Sequence, residues 1–237
     1  MNPSEILGCA LSAYYAGDSS AEIIIYSPEF DPDHQPVSHY FRGYNEMPEI
    51  EREAINLSRG TILDIGAGAG SHCLVLQKFG LSITALELSS AACQIMKKRG
   101  VKNVLNRDVF DPAPGKFDTL LMLMNGIGIV HSIEGLSLFL KHIKGYLNPG
   151  GQLLFDSANL IYLISDDESG EMFKMQDQRY FGEIEFVMEF NGKKSDSFYW
   201  LYVDFDTLCQ YAEKEGFKPE LVMQDQSFQY LARLSIL

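Results

Sequence analysis

Apolar positions recur with two periods along this chain, and the switch between them outlines its elements. Near the start, Leu7, Leu11, Tyr14 and Tyr15 fall on one helical stripe. Asn2 stands ahead of it as an N-cap and Pro3 takes the first helical position, so a helix is expected over about residues 3–16. "SPEFDPDHQPVSHYFRGYN" is rich in Pro, Asp and aromatic residues and reads as a loop or lid, after which "MPEIEREAINLS" returns to helical spacing. Residues 1–59 are thus expected to be an N-terminal helical segment with one loop, ahead of a domain over 60–237.

From Thr61 the pattern alternates. The strands "TILDI", "LSITALE", "VKNVLN", "FDTLLMLM" and "QLLFDS" are separated by helices expected over 71–79, 89–99 and 133–146, and by the breaks "DPAPG" and "NPGG". Strands alternating with helices imply an α/β fold, a doubly wound, Rossmann-like parallel sheet covered on both faces. Runs such as "TLLMLM", apolar throughout, suit strands buried on both sides. After Ser157 the period becomes two. "SDDESGE" reads as a solvated loop; then Ile184, Phe186, Met188 and Phe190 share one face of "GEIEFVMEF", and "FYWLYV" follows. Together they predict an inserted β-hairpin over about 180–203, followed by a helix over 206–215 and a terminal antiparallel pair.

Charge narrows the partners. A formal net charge of −13 over 237 residues disfavours nucleic acid and anionic membranes, which need clustered Lys and Arg. No apolar run approaches the roughly 20 residues of a membrane span. Cys9, Cys73, Cys93 and Cys209 show no metal-ligand or CxxC spacing, so a reduced, cytoplasmic setting is expected.

"ILDIGAGAGSH", residues 62–72, carries the first chemical signal. Gly66, Ala67, Gly68 and Gly70 form a tight strand-to-helix turn that lets a ligand approach the backbone. The turn departs from the dinucleotide fingerprint, because Ser71 stands where a third Gly or Ala is wanted. Asp64 departs further: a carboxylate beside a pyrophosphate is unfavourable, whereas beside a sulfonium and an ammonium it is favourable. Glu87 ends the next strand about twenty residues on, where an acid receives ribose hydroxyls.

With "NRDVF", "LMLMNG" and "LFLKHIKGYLNPGGQLLFD" in that order, the chain resembles the class I S-adenosylmethionine-dependent methyltransferases from about residue 60 onward. The resemblance implies a seven-stranded, mostly parallel sheet of order 3-2-1-4-5-7-6, counted from Thr61, with strand 7 antiparallel. It implies S-adenosylmethionine as methyl donor and S-adenosylhomocysteine as product. By position, Asp64, Gly66, Ala67 and Gly68 line its methionine part, Glu87 holds the ribose and Leu88 packs on the adenine. Asp108 and the Val109 backbone read the adenine edge, and Asn125 lies between cofactor and acceptor.

The acceptor side is read more loosely. Asn125 is followed by "GIGIVHS" rather than Pro-Pro-aromatic, and none of the cysteines follows a proline, which argues against nucleobase acceptors. A small molecule is favoured, with a protein side chain second. His131 is a candidate general base, with capping or exposure as its alternative. Tyr40, Arg42 and Tyr44 are candidates to fold over the site, Arg42 for the methionine carboxylate or an anionic substrate, against a plain packing loop. Asp156, Asn159 and Tyr162 follow the fifth strand and face the ligand edge by position. Asp31, Asp33, His34 and His39 are read as a rigid loop rather than a metal site. The hairpin is open to three readings: a wall of the substrate site, a homodimer contact, or a sheet extension. A non-catalytic binding module and an NAD-dependent oxidoreductase remain as alternatives of other classes.

Overall fold

The computed structural model describes residues 1–160 and 179–236. In chain order its elements begin with α1 (Pro3–Tyr15), β1 (Glu22–Tyr26), β2 (Asp33–Pro36), α2 (Glu49–Leu57), β3 (Thr61–Ile65), α3 (Ser71–Lys78) and β4 (Ser82–Glu87). There follow α4 (Ser90–Arg99), β5 (Val104–Asn106), β6 (Phe117–Met122), α5 (Ile133–Ile143) and β7 (Leu147–Ala158). Last come β8 (Glu183–Phe190), β9 (Lys193–Lys194), β10 (Phe198–Leu201), α6 (Phe205–Lys214), β11 (Phe217–Gln224) and β12 (Gln229–Ile236).

The main sheet runs β11-β12-β7-β6-β3-β4-β5. Strands β3 to β7 pair in parallel, while β12 is antiparallel to both β7 and β11. With the inserted strands left out, this is the order 6-7-5-4-1-2-3 counted from Thr61, the expected topology read from its other edge. Alternation along each strand separates two cores. Leu63, Ile65, Leu120, Met122, Leu153 and Phe155 meet α5 and α6 on one face. Ile62, Leu121 and Leu154 meet α2, α3 and α4 on the other. Asp64 and Asp156 share the register of this second face, among buried apolar neighbours.

The N-terminal segment is not simply helical. The α1 helix forms as expected, with Asn2 and Glu5 making a capping box. "EIIIY", however, is β1, and "DHQP", inside the expected loop, is β2. The β-branched run in β1 favours a pleated strand, but one of its two partners lies far away in sequence, so helical context nearby masked it. The inserted hairpin supplies that partner: β10, β8, β1 and β2 form a second, antiparallel sheet, with Ile25 opposite Met188. Ile23 and Phe190 of this sheet pack with Ile6 and Leu11 of α1 against Ala92 and Ile95 of α4 and Ala69 of the glycine loop. Gly8 permits the approach, because a Cβ there would stand 2.5 Å from Ser89 Oγ. The second sheet is thereby fastened beside the carboxyl-terminal edge of the main one. No helix among the described residues is long and apolar enough to cross a membrane.

Candidate active site

Strand β3 stops at Ile65 because the next residues leave the β region: Gly66, Gly68 and Gly70 have φ of +74°, +54° and +81°. The three glycines do different jobs. At Gly70 a Cβ would press on Met96 and Val101 at 2.8 Å, so that glycine serves packing. At Gly66 it would meet nothing within 4 Å, and at Gly68 only the Tyr40 ring at 3.5 Å. Bare backbone at these two positions keeps a cradle open that side chains would fill. Tyr40 is held over it by an anchor the sequence did not announce. Arg99, in what reads as an ordinary helix end, donates to the carbonyls of Ala69, Tyr40 and Phe41 and lies 4.6 Å from the Phe41 ring centre. Ser71 Oγ donates to Tyr40 O at 2.7 Å.

Glu87, buried at the end of β4, accepts Gly68 N–H at 2.9 Å and Ser89 N–H at 2.8 Å. Burial raises its pKa, opposed by these backbone donors. Leu88 beside it is half exposed, an apolar platform facing outward. Asp108 turns one oxygen onto Phe110 N–H at 2.9 Å. The Val109 carbonyl is taken by Tyr146 Oη and His142 Nε2, at 2.7 and 3.0 Å.

Beneath the cradle lies a buried charge network. Glu51 of α2 accepts Arg42 at 2.6 Å with one oxygen and pairs with His72 Nε2 at 2.8 Å with the other. Burial alone would lower the His72 pKa, but the Glu51 bond and the charges of Asp64, Glu51 and Asp156 raise it overall. Asp64 receives a weak hydrogen bond from Cys73 Sγ at 3.2 Å, and burial raises its pKa. Arg42 was read as a carboxylate binder; here Glu51 and His39 O hold its guanidinium. Tyr44 is not brought to the cradle. It bonds Asn56 and stacks edge-on against Phe79, at the far end of α3, about 12 Å from the cradle at 1.5 Å per residue.

On the other side of the cradle, Met124 and Asn125 are both left-handed, with φ of +61° and +53°. Asn125 is gripped from three directions. Its N–H donates to Asp156 Oδ2 at 3.0 Å, its Nδ2 to Leu201 O at 3.3 Å, and its carbonyl accepts Trp200 Nε1 at 3.1 Å. Gly128 makes the last contact possible, because a Cβ there would lie 2.0 Å from the Trp200 ring nitrogen. The hairpin thus walls this end of the main sheet. Asn125 Oδ1 and Asp156 Oδ1, both buried, have no hydrogen-bond partner among the described residues. The Tyr202 phenol, one residue beyond β10, lies within the fields of Asp33, Asp156 and Tyr40, and burial with those charges pushes it up to about 12.

His131, also left-handed with φ +67°, donates from Nδ1 to Tyr199 O at 2.6 Å. That bond fixes Nε2 as the basic nitrogen of the neutral ring, on an exposed side chain. Asn159 is half buried, and its backbone N–H donates to Phe228 O, just before β12, at 3.1 Å. Tyr162 lies outside the described residues. Glu51, His72, Arg99 and Tyr202 were missed as site residues. Glu51 and His72 were visible only as charged residues at helix positions whose faces turn inward.

A methyltransferase-domain family matches residues 38–222 of this chain. The crystal structure of an S-adenosylmethionine-dependent methyltransferase from Bacteroides fragilis, in complex with S-adenosyl-L-homocysteine, is 40% identical with a TM-score of 0.91. The match covers 99% of this chain and 96% of that one. A methyltransferase from Clostridium acetobutylicum (14% identity, TM-score 0.57, 77% and 86% covered) and DesVI from Streptomyces venezuelae (17%, 0.57, 84% and 93%) share the fold. The chain belongs to the methyltransferase-domain family and is a class I S-adenosylmethionine-dependent methyltransferase. An NAD-dependent oxidoreductase is set aside with that result.

Proposed function

We propose that this methyltransferase acts on a small molecule, held between the glycine cradle and the wall formed by Asn125, Asp156 and the second sheet. The observation that carries the reading is the depth of the acceptor-side groups: Asn125 and Asp156 are 8% and 2% exposed, behind Trp200 and Tyr202. A free molecule enters such a recess more readily than a side chain on a folded protein.

The residues present fit the cofactor. Gly66 and Gly68 leave room for it, and Asp64 is the buried carboxyl beside the turn that would face its cationic end. Glu87 keeps lone pairs for ribose hydroxyls after binding two backbone donors, and Leu88 offers an apolar face to a purine ring. At Val109 the amide is the group left for the adenine edge, since the carbonyl is engaged; Asp108 keeps one oxygen for an exocyclic amine. S-adenosylmethionine, when bound, supplies a methyl group made electrophilic by a positive sulfur. The protein's part is then to orient the acceptor in line and exclude water. Tyr40, pinned by Arg99, closes the cradle from above; its phenol, pushed up to about 12 by burial and by Glu87, stays neutral. His131 Nε2 is a base available to an acceptor hydroxyl or amine.

Incubation with methyl-labelled S-adenosylmethionine and a cell extract, followed by filtration, tests the reading. Label is expected in the low-molecular-weight filtrate. Label retained only on protein overturns it in favour of a protein acceptor, and binding of cofactor without any transfer overturns it in favour of a binding module.

A further inference from the structure

The wall that faces the cradle is made of hydrogen-bond acceptors. Asn125 Nδ2 donates to Leu201 O, so the amide cannot flip without losing that bond, and Oδ1 must be the free atom. Asp156 Oδ2 is taken by Asn125 N–H, so Asp156 Oδ1 is free as well. The Asn125 backbone and the Asp156 side chain meet through that bond, and each residue leaves one buried oxygen without a donor among the described residues, an arrangement that folded proteins avoid unless a ligand, ion or water completes it. A hydroxyl has one proton to give and satisfies one oxygen; an amine or ammonium has two or three and satisfies both.

Charge points the same way. Asp33 and Asp156 both face the Tyr202 phenol in this region, while the Arg42 guanidinium and the His72 ring are both bonded to Glu51. A positive acceptor enters a field already negative.

We propose that the acceptor is an amine, bound through its N–H groups to Asp156 and Asn125 and methylated on nitrogen. This rests on the small-molecule reading above. The bound ammonium passes one proton to Asp156. The nitrogen lone pair then forms the bond to the methyl carbon as the carbon–sulfur bond breaks, and that electron pair stays on sulfur, leaving the neutral thioether. The product leaves as the methylated ammonium, and Asp156 returns its proton to solvent.

Incubating the protein with S-adenosylmethionine carrying a carbon-13 methyl group and a cell extract reads out the acceptor atom by carbon–proton NMR. An N-methyl signal is expected. An O-, S- or C-methyl signal overturns the proposal while leaving the small-molecule reading intact; no methylated product, with S-adenosylhomocysteine still binding, overturns both. The labelled amine, recovered in its unmethylated form, is then titrated into S-adenosylhomocysteine-saturated protein. Asp156→Asn is expected to weaken its binding about tenfold or more with S-adenosylhomocysteine affinity unchanged. Asparagine still accepts the Asn125 N–H, so the turn is retained. Should that variant fail to fold, Asn125→Gly keeps the left-handed turn, removes the other free oxygen and carries the same expectation. Unchanged amine binding, or loss of S-adenosylhomocysteine binding instead, contradicts the assignment of these oxygens to the acceptor.

Discussion

Replacing Asp156 with asparagine should flatten the dependence of stability on pH. Asp156 is 2% exposed, and burial pushes its pKa up to about 7 from 3.8, with the Asn125 N–H lowering it and Glu51 raising it. The groups that face it come from several elements: Glu51 on α2, His72 on α3, the Asn125 amide after β6, and the Tyr202 phenol after β10. Because the folded value lies above the unfolded one, the native protein holds this proton more tightly. Stability therefore falls as pH rises between about 4 and 8. Three pH units at about 1.4 kcal/mol each make roughly 4 kcal/mol. His72, also raised, contributes the same sign in wild type and variant: its stabilisation is present below its ordinary value of 6.5 and lost as pH rises through the folded value. Asparagine cannot ionise, so urea unfolding followed by circular dichroism should show wild type losing about 4 kcal/mol relative to Asp156→Asn from pH 4 to pH 8. Parallel stability curves for the two proteins would refute the claim that this carboxyl is buried and holds its proton more tightly than in the unfolded chain.

Other consequences follow from single contacts. Glu51→Leu leaves Arg42 and His72 without their shared partner and should cost about 3–5 kcal/mol in denaturant unfolding; a cost near zero means the network is hydrated rather than buried. Gly128→Ala should expel the Trp200 indole, and since Trp200 is the only tryptophan, its fluorescence should shift to the red; an unchanged spectrum contradicts the docking on Asn125. Gly66→Val should abolish S-adenosylhomocysteine binding by filling the cradle, whereas Gly70→Ala should act mainly on thermal stability through Met96 and Val101; the reverse pattern contradicts their separate roles.

The main sheet was legible because its central strands are largely apolar runs bounded by turn residues, and local pattern suffices for that. Gly100 marked a helix end where the structure has it, whereas "NPGG", expected as a break before the strand, lies inside β7. The second sheet was half legible. The hairpin appeared through the alternation of Ile184, Phe186 and Met188, but β1 pairs with it across more than a hundred residues, and no local signal carries such a pairing. In the site, glycines and strand-end acids stood out because backbone geometry and charge restrict what stands there. Arg99 did not, because a cation at a helix end is normally solvated, and only the tertiary structure brings three carbonyls to it. Arg42 and Tyr44 were nominated by neighbourhood in sequence, and Glu51 and Asn56 on α2 claim them instead.

Calorimetric titration with S-adenosylhomocysteine tests the central claim most directly. Saturable one-to-one binding is expected for the wild type. Glu87→Ala, which removes the acceptor of Gly68 and Ser89 N–H and the proposed ribose ligand, should bind at least about tenfold more weakly. No heat with the wild type, or equal affinity in the variant, would contradict the account of this cradle.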